Sequence, residues 1–429
     1  MRDKTRRAVE TAKTLLIVLL SASALWLIVG SGLFGRQLDT VLERRGAAAP
    51  PRAGTAAAAD ALPIGLAVVN ENGCYGVRYD QEAVAALFTR FAPLLNEVLS
   101  STGEPEQATA AEWERALTSA PCVYFDFEGT IPLRVLSAWL SGQENAGLTA
   151  SARRLLLRGG DGAVALFYQD GEGLCHVCQA QVADPAHLTA AVNSVEPNGA
   201  FFACQSPDYA VLAADALITP QTPSPREYTA ADLLAQDQQE RLETLLDALS
   251  FPAGITTLYE TPEGWRARSG NDMLTVVAGS TATYRSTREE ARYPVTPAEG
   301  ESDLTAAVNA ARALVMDALE PWLGGARLYL LDAREISEKS WQMEFGYALG
   351  GIPVRVGEEP AATVLVDRGY IIQYDLHLRT YAAQEQTALI LPQAQAAAVA
   401  AVGERERPYL QLAYRDGGEN VRIGWIAGS

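Results

Sequence analysis

One uncharged run near the start of the chain constrains its architecture more than any other feature. Thr14 to Gly35 reads TLLIVLLSASALWLIVGSGLFG, 22 residues without a charged side chain. At a rise of about 1.5 Å per residue, a helix of this length spans about 33 Å, enough for the roughly 30 Å hydrocarbon core of a bilayer. The run therefore predicts a transmembrane anchor. Its large apolar side chains are Leu15, Leu16, Leu20, Trp26, Leu27 and Phe34.

The charges before this run predict its orientation. Five cations and two acids precede it, and an excess of cations marks the cytoplasmic side of a membrane span. A cleaved signal peptide is the alternative, but its apolar part usually covers about 7–15 residues, and the nearest Ala-x-Ala pattern, Ala47–Ala49, lies well beyond the run. We therefore expect a single-pass anchor with a cytoplasmic amino terminus and an extracytoplasmic remainder. Small residues that let a second membrane helix approach closely also occur in the run: Ser21, Ser23, Ala24, Gly30 and Gly32.

Beyond the anchor the chain divides into a tether and three segments. Residues 36–61 are predicted to be a flexible tether, because the stretch from Arg44 to Ala61 is rich in Ala, Pro and Gly and lacks large apolar side chains. A Pro-rich joint at Thr219–Glu227 and a break near Pro294 divide the rest. We therefore expect a cytoplasmic tip and anchor at 1–35, followed after the tether by a first segment at 62–222, a second at 223–294 and a third at 295–429.

Each segment combines amphipathic helices with short alternating strands. This pattern predicts two or three α+β domains with antiparallel sheets. In the first segment, apolar residues recur at helical spacing from Val84, and Pro93 is expected to kink or restart that helix. In the second segment, Thr229 and Asp232 resemble a capping box at the start of a helix.

The glycines at 171 and 173 predict a hairpin between the strands AVALFYQD and LCHVCQAQV. Two cysteines in the stretch GLCHVCQAQV raise the question of a metal or redox site. Cys175 and Cys178 lie three residues apart on a predicted strand, so their side chains face opposite ways and their α-carbons are about 10 Å apart, beyond the roughly 7 Å limit of a disulfide. A zinc site would need a turn here and further ligands, for which His187 and Cys204 are the nearest candidates. We expect buried strand thiols. The alternative is a single disulfide from Cys175 or Cys178 to Cys204, which requires that their strands pair.

A pair of carboxylates in YFDFEG is the other candidate site. Asp126 and Glu128 project from the same face of a predicted strand, about 6.6 Å apart along it. Such a pair is typical of glycoside hydrolysis or of a divalent-cation site. The alternation also predicts a simpler role, in which both carboxylates form the solvent-exposed face while Phe125 and Phe127 face the core. We expect the simpler role.

The remaining composition argues against several classes of protein. The formal net charge of −18 disfavours a nucleic-acid partner. Only three of the 34 cationic residues are lysines, which we interpret as a coding bias. The sequence contains no His-Glu-x-x-His, Gly-x-Ser-x-Gly, Ser-x-x-Lys or Walker A motif. We therefore expect no cofactor, no small-molecule substrate and no enzymatic activity.

An ordered series of motifs resembles a known family. The third segment contains MEFGYALGGIPVRVG, ATVLVDRGYIIQYDLHLRTY, a helix at LPQAQAAA and a closing LQLAYRDG with GWIA. The first segment contains VYFDFEGTIPLRVLSAWL and DYAVLAADALITP, and the anchor precedes both. Together these stretches resemble the YycH/YycI family of two-component system regulators over most of the chain, with a YycI/PepSY-like domain at 295–429.

The resemblance implies a non-catalytic membrane protein of the cell envelope. Its expected partners are a membrane sensor histidine kinase of cell-wall metabolism and a sister YycH/YycI-type regulator. Two alternatives remain. One is a PepSY-like inhibitor or chaperone of a secreted peptidase or wall hydrolase. The other is an extracytoplasmic enzyme that uses Asp126 and Glu128 or a thiol site.

Overall fold

The structure is a computed structural model. It describes residue 61 and residues 63–160, 162–180, 184–235, 238–251, 254–270, 272–277, 281–286, 292–400 and 407–428. The predicted anchor and all but the last residue of the predicted tether lie outside the described residues, so both stay predictions.

The first segment is built on one antiparallel sheet. Its strands are β1 (Pro63–Asn70), β2 (Gly73–Arg78), β3 (Glu106–Ala108), β4 (Cys122–Pro132), β5 (Ser151–Gly160), β6 (Ala163–Gln169) and β7 (Cys175–Ala180). They pair in the order β2–β1–β4–β5–β6–β7–β3. The hairpin expected around GLCHVCQAQV is confirmed as β6 and β7. Strand β4 lies inside the sheet, and ten of its eleven residues are buried, which shows that both of its faces are covered.

Helices accompany this sheet, and the longest of them packs on it. They are α1 (Gln81–Ser101), α2 (Ala110–Thr118), α3 (Leu133–Ser141) and α4 (Pro185–Asn193). Helix α1 begins where Asp80 Oδ1 accepts a hydrogen bond from the N–H of Ala83 at 3.0 Å, and it continues through Pro93 without restarting. By length and hydropathy it is the one described helix that could cross a membrane. Its apolar face, however, packs on β1, β6 and α3, as in the core helix of a globular domain.

The second segment adds short strands, one helix and an antiparallel meander. The short strands β8 (Phe201–Phe202) and β9 (Leu217–Ile218) still belong to the first segment. The elements of the second segment are β10 (Arg226–Asp232), α5 (Gln238–Ala248), β11 (Thr257–Thr261), β12 (Gly264–Ser269), β13 (Asp272–Val277), β14 (Thr281–Arg285) and β15 (Tyr293–Pro294). The capping box expected at Thr229 and Asp232 is wrong, since both residues lie in β10. Pairing of β10 with a strand of the third segment outweighs the local capping pattern.

The third segment supplies most of the second large sheet. Its elements are α6 (Asp303–Leu319), β16 (Ala326–Ser337), β17 (Ser340–Leu349), β18 (Ile352–Val356), β19 (Ala362–Asp367), β20 (Tyr370–His377), β21 (Arg379–Thr387), α7 (Gln393–Ala400), β22 (Tyr409–Asp416) and β23 (Val421–Gly428). The sheet runs β11–β12–β13–β14–β20–β19–β17–β16. The carboxy-terminal end of β17 pairs with β18. Strand β18 pairs in turn with β22, and β22 pairs with β23.

Strand pairs also connect the segments. The meander joins the third segment through β14 and β20, and β10 pairs with β21. The two large sheets meet where Thr130 of β4 lies beside Asp332 of β16 in a parallel contact. The expected α+β class with mainly antiparallel sheets is confirmed for the described residues, with parallel contacts at β4–β16 and β18–β22 as the departures. The domain boundaries themselves stay predictions.

Candidate functional site

The carboxylates of β4 do not lie on a solvent-exposed face, so that expectation is wrong. Asp126 is 1% exposed and Glu128 is 3% exposed. Phe125 and Phe127 lie in the main hydrophobic core, as expected. The opposite face of β4 is covered by side chains of β22, and these reach the carboxylates from 283 positions further along the chain. Local alternation could not reveal this cover, because the covering strand is so distant in sequence.

Asp126 is held by arginines and a tyrosine. The Tyr409 hydroxyl donates a hydrogen bond to its Oδ2, and the Arg78 guanidinium lies 3.6 Å from the same oxygen. Arg154 Nε lies 3.8 Å and Arg153 Nε 4.0 Å from Oδ1. Asp126 therefore faces positive charge from two strands, β2 and β5.

Glu128 has a similar set of partners one step along the strand. Arg355 Nη2 lies 2.9 Å from its Oε1, Arg153 Nη2 lies 3.8 Å from its Oε2, and the Gln411 amide donates a hydrogen bond to Oε2. Burial raises the pKa of Glu128, and the charges of Arg153 and Arg355 only partly oppose that rise. The energetic cost of removing this carboxylate from water is thus not fully offset by its partners.

The arginines are themselves packed against aromatic rings and a third carboxylate. The guanidinium of Arg78 lies 4.7 Å from the ring centre of Tyr79 and 5.2 Å from that of Tyr409. Arg154 lies 3.9 Å from the Tyr409 ring centre and forms an ion pair with Asp215 at 3.1 Å. We call this group the junction cluster. Its members are Arg78, Asp126, Glu128, Arg153, Arg154, Asp215, Arg355, Tyr409 and Gln411.

The junction cluster connects the first sheet with the third segment. It joins β2, β4 and β5 of the first sheet to β18 and β22 of the third segment. A buried ionic set of this kind adds little net stability over apolar packing, but it is sensitive to the loss of any one charge. Some of its polar atoms, such as Arg78 Nε and Asp126 Oδ1, have no hydrogen-bond partner among the described residues. The cluster therefore specifies the alignment of the segments more than it strengthens them.

An open groove of about 1070 Å³ lies beside this cluster, and we call it the junction groove. Arg78 belongs to both the cluster and the groove. The walls come from β2 with the start of α1, from the Pro-rich joint at Thr219–Arg226, and from the turn between β17 and β18. Half-buried Tyr75 and Tyr228 contribute rings to the lining, together with exposed polar side chains. Its chemistry is that of a polar and aromatic contact surface.

At one wall of the junction groove, the side-chain amide of Asn198 makes the hydrogen bonds that a neighbouring strand would make with β2. Asn198 Nδ2 donates to the carbonyl of Gly76 at 2.8 Å, and Asn198 Oδ1 accepts from the N–H of Gly76 at 3.0 Å. These two bonds satisfy the outer edge of β2 at that residue. The wall is therefore rigid without a further strand.

The candidate metal and redox residues are not brought together. Cys178 lies in the main core, whereas Cys175 lies in a second apolar cluster on the other face of the sheet, as expected for an extended strand. His187 is in α4, and Cys204 is exposed just after β8. Among the described residues no group of three or more His, Cys, Asp or Glu side chains is arranged to hold a metal.

The cysteines are free thiols in this structure. Strand β8 pairs with β9 and not with β7, so the condition for a bridge to Cys204 is not met. Burial raises the pKa of Cys178 and of Cys204 to about 11 and that of Cys74 to about 12. Thiols with such pKa values are poor nucleophiles at neutral pH.

The arginines of the junction cluster were missed in the sequence. A usable signal was present, because single polar residues interrupt apolar strands at Arg78 in GCYGVR, at Arg355 in IPVRV and at Gln411 in YLQLAY. A lone charge in an otherwise buried strand requires a partner of opposite charge. Attributing the arginine excess to coding bias hid that signal.

Comparison with known proteins places this architecture among solved folds. No protein-family model matches the chain, and no curated protein matches it. Among solved structures, the crystal structure of YycH from Bacillus subtilis aligns with a TM-score of 0.53 and 11% identity, over 87% of this chain and 97% of that one. The fold is thus one of α+β sheets joined in series. It is a YycH-like fold, which confirms the resemblance seen in the sequence at the level of structure.

Proposed function

We propose that this protein is a membrane-anchored, extracytoplasmic regulator that binds and tunes a sensor histidine kinase of cell-wall or envelope metabolism, and that it catalyses no reaction. The observation that carries the proposal is the YycH-like fold, which extends over 87% of the chain. The series of motifs in the first and third segments resembles the same family.

The anchor supports the proposal on physical grounds. A predicted helix at Thr14–Gly35 places the protein in the same membrane as a kinase, and small residues from Ser21 to Gly32 allow close contact between helices. The tether at 36–61 then keeps the folded part near a membrane partner at high effective concentration. A sister YycH/YycI-type regulator would be held near the kinase in the same way.

The junction groove is the surface we assign to the extracytoplasmic contact. Its walls come from the first and third segments and from the Pro-rich joint that follows the first segment, so a partner seated there would sense the relative alignment of the first and third segments. The junction cluster maintains that alignment. This arrangement suits a protein whose output is a change in a partner's conformation rather than a chemical product.

Crosslinking in the native membrane tests the proposal. A photoreactive residue replaces Leu16, Leu20 or Trp26 in the anchor, or Gln221 in the junction groove, and captured proteins are identified by mass spectrometry. We expect a sensor kinase from the anchor positions and from Gln221. The matched control is exposed Glu338 in the turn between β16 and β17, which should capture no kinase.

Other captures would contradict the proposal. A secreted peptidase or wall hydrolase trapped from the groove, with no kinase from the anchor, would replace it with the PepSY-like inhibitor or chaperone. An enzyme would instead show a substrate-dependent activity that Asp126→Asn or Glu128→Gln abolishes while the circular dichroism spectrum is unchanged.

A further inference from the structure

One edge of the second large sheet is unpaired among the described residues. Strand β11 forms an unbroken antiparallel register with β12 over Thr257–Thr261, and no other described strand pairs with it. Four of its five residues are exposed. The outer row of N–H and C=O groups on such a strand can accept a further strand.

Strand β11 has few of the features that protect a sheet edge. Soluble proteins protect such edges with charged side chains, above all lysine, with proline, with a bulge or by keeping the strand short. The strand reads TLYET over five residues, with one charge at Glu260 and without lysine or proline, and its register with β12 contains no bulge. Large apolar side chains stay exposed around it. Their exposed fractions are 67% for Ile255, 39% for Leu258, 42% for Tyr259 and 41% for Met273.

We infer that β11 pairs with β11 of a second copy of this chain, antiparallel about a twofold axis at Tyr259, so that two sheets join into one. A twofold axis perpendicular to a sheet keeps every side chain on its own face, and the centre of the register must therefore fall on a residue. Centring on Tyr259 engages all five residues of the strand, whereas any other centre leaves some of them unpaired.

The side chains that this register brings together are complementary. Tyr259 meets Tyr259 of the second copy, and Thr257 meets Thr261 of the second copy, on the same face. Aromatic and threonine pairs are among the favourable cross-strand pairs. Arg266 lies beside Tyr259 in the β11–β12 register, so a cation flanks each tyrosine of the central pair.

On the opposite face of the joined sheet, Leu258 meets Glu260 of the second copy, and Ala267 and Trp265 of β12 lie beside these two residues. No like charges face each other at the seam. Glu260 faces an apolar side chain but stays exposed, so water solvates its charge. The short strand makes the association weak and dependent on concentration.

Disulfide trapping of the full-length chain in membranes tests this arrangement. Tyr259→Cys in a Cys204→Ser background should form a covalent dimer on mild oxidation, because the axis places the two thiols opposite each other. Thr257→Cys alone should stay monomeric, and Thr257→Cys with Thr261→Cys should form the dimer. The matched control is Thr275→Cys, on the same face two strands inward, which should not crosslink.

A second measurement does not depend on the introduced thiols. Leu258→Lys places a charge on an exposed position of the edge, so it should leave the melting temperature unchanged and reduce the dimer fraction in sedimentation at least several-fold. The inference is overturned if Tyr259→Cys stays monomeric or traps a different protein, if Thr275→Cys crosslinks equally well, or if Leu258→Lys leaves the dimer fraction unchanged.

Discussion

At the scale of single residues, buried charge determines the character of the junction cluster. Asp126 and Arg78 have almost no contact with solvent, and the Arg78 side chain is enclosed by the rings of Tyr79 and Tyr409. A guanidinium in such a place has no water to replace a lost carboxylate. The consequence of removing one partner is therefore much larger than at the surface.

Replacing Asp126 by Asn tests this difference. The substitution keeps the shape and an oxygen that accepts from Tyr409, but it leaves Arg78 buried without a counter-charge. We expect a loss of about 3–5 kcal/mol in the free energy of unfolding, measured by urea denaturation. The control is Asp375→Asn, which breaks the partly exposed pair with Arg285 and should cost about 1 kcal/mol. Equal losses for the two variants would contradict a structural role for the buried charge.

The thiol of Cys204 gives a prediction that depends on pH. The residue is exposed as a whole, but burial of the thiol raises its pKa to about 11, with a further contribution from Glu114. At pH 8 only about 0.1% of this thiol is ionised, and the thiolate is the reactive form. Alkylation by iodoacetamide should therefore be slow at pH 8 and should accelerate about tenfold per pH unit up to pH 10.

The control for this measurement is the same protein in concentrated urea. There all five cysteines should react at the rate of ordinary thiols, whereas Cys74, Cys122, Cys175 and Cys178 should stay unmodified in the folded state. A folded-state rate at Cys204 that levels off near pH 8.5 would show an ordinary thiol instead.

At the scale of elements, β4 and β16 approach each other closely where the two large sheets cross. A Cβ added at Gly129 of β4 would lie 2.1 Å from the carbonyl oxygen of Leu330 and 2.7 Å from that of Leu331. Only glycine lets the two backbones approach this closely. The parallel contact between Thr130 and Asp332 follows directly from that approach.

Gly129→Ala should therefore separate the sheets at this crossing. We expect a loss of about 1–3 kcal/mol or more in the free energy of unfolding, since rigid backbone cannot move aside for the methyl group. The matched control is Gly171→Ala in the β6–β7 turn, where the nearest atom would be Thr130 Cγ2 at 3.9 Å. Similar stability of the two variants would show that the sheets are not in close contact at Gly129.

Element prediction from sequence succeeded where local pattern and burial agreed. The β6–β7 hairpin and the antiparallel character of the sheets followed from turn residues and alternation. It failed at Thr229–Asp232, where local capping chemistry predicted a helix start but a strand partner at β21 determined the conformation. It also failed to see that β4 is covered on both faces.

At the scale of the whole molecule, the first and third segments are connected by a strand contact between β4 and β16 and by the buried charges of the junction cluster. The main core contains residues of all three segments, and β22 covers the carboxylates of β4. The face of β4 that carries Asp126 and Glu128 does not stay buried if β22 leaves. We therefore expect the first and third segments to unfold together.

Hydrogen exchange measured by mass spectrometry checks this cooperativity. Peptides from β4, β5 and β22 should open with the same free energy, and Asp126→Asn should lower all three by the same amount. Peptides from the exposed carboxy-terminal half of β21 serve as the internal control and should exchange faster. The expectation is contradicted if β22 opens at a lower free energy than β4 and Asp126→Asn affects only one of them.

The sequence by itself determined the class of elements, the α+β composition and the order of motifs that resembles the YycH/YycI family, because turn chemistry and apolar periodicity act over a few residues. Only the tertiary structure decided which strand faces are buried, which charges form pairs and at which position, Gly129, any side chain would clash with backbone. Asp126 shows the reason. Its neighbours in sequence predict an exposed carboxylate, whereas Tyr409, 283 positions away, removes it from water. Contacts over such distances depend on how the segments pack, and local patterns do not encode them.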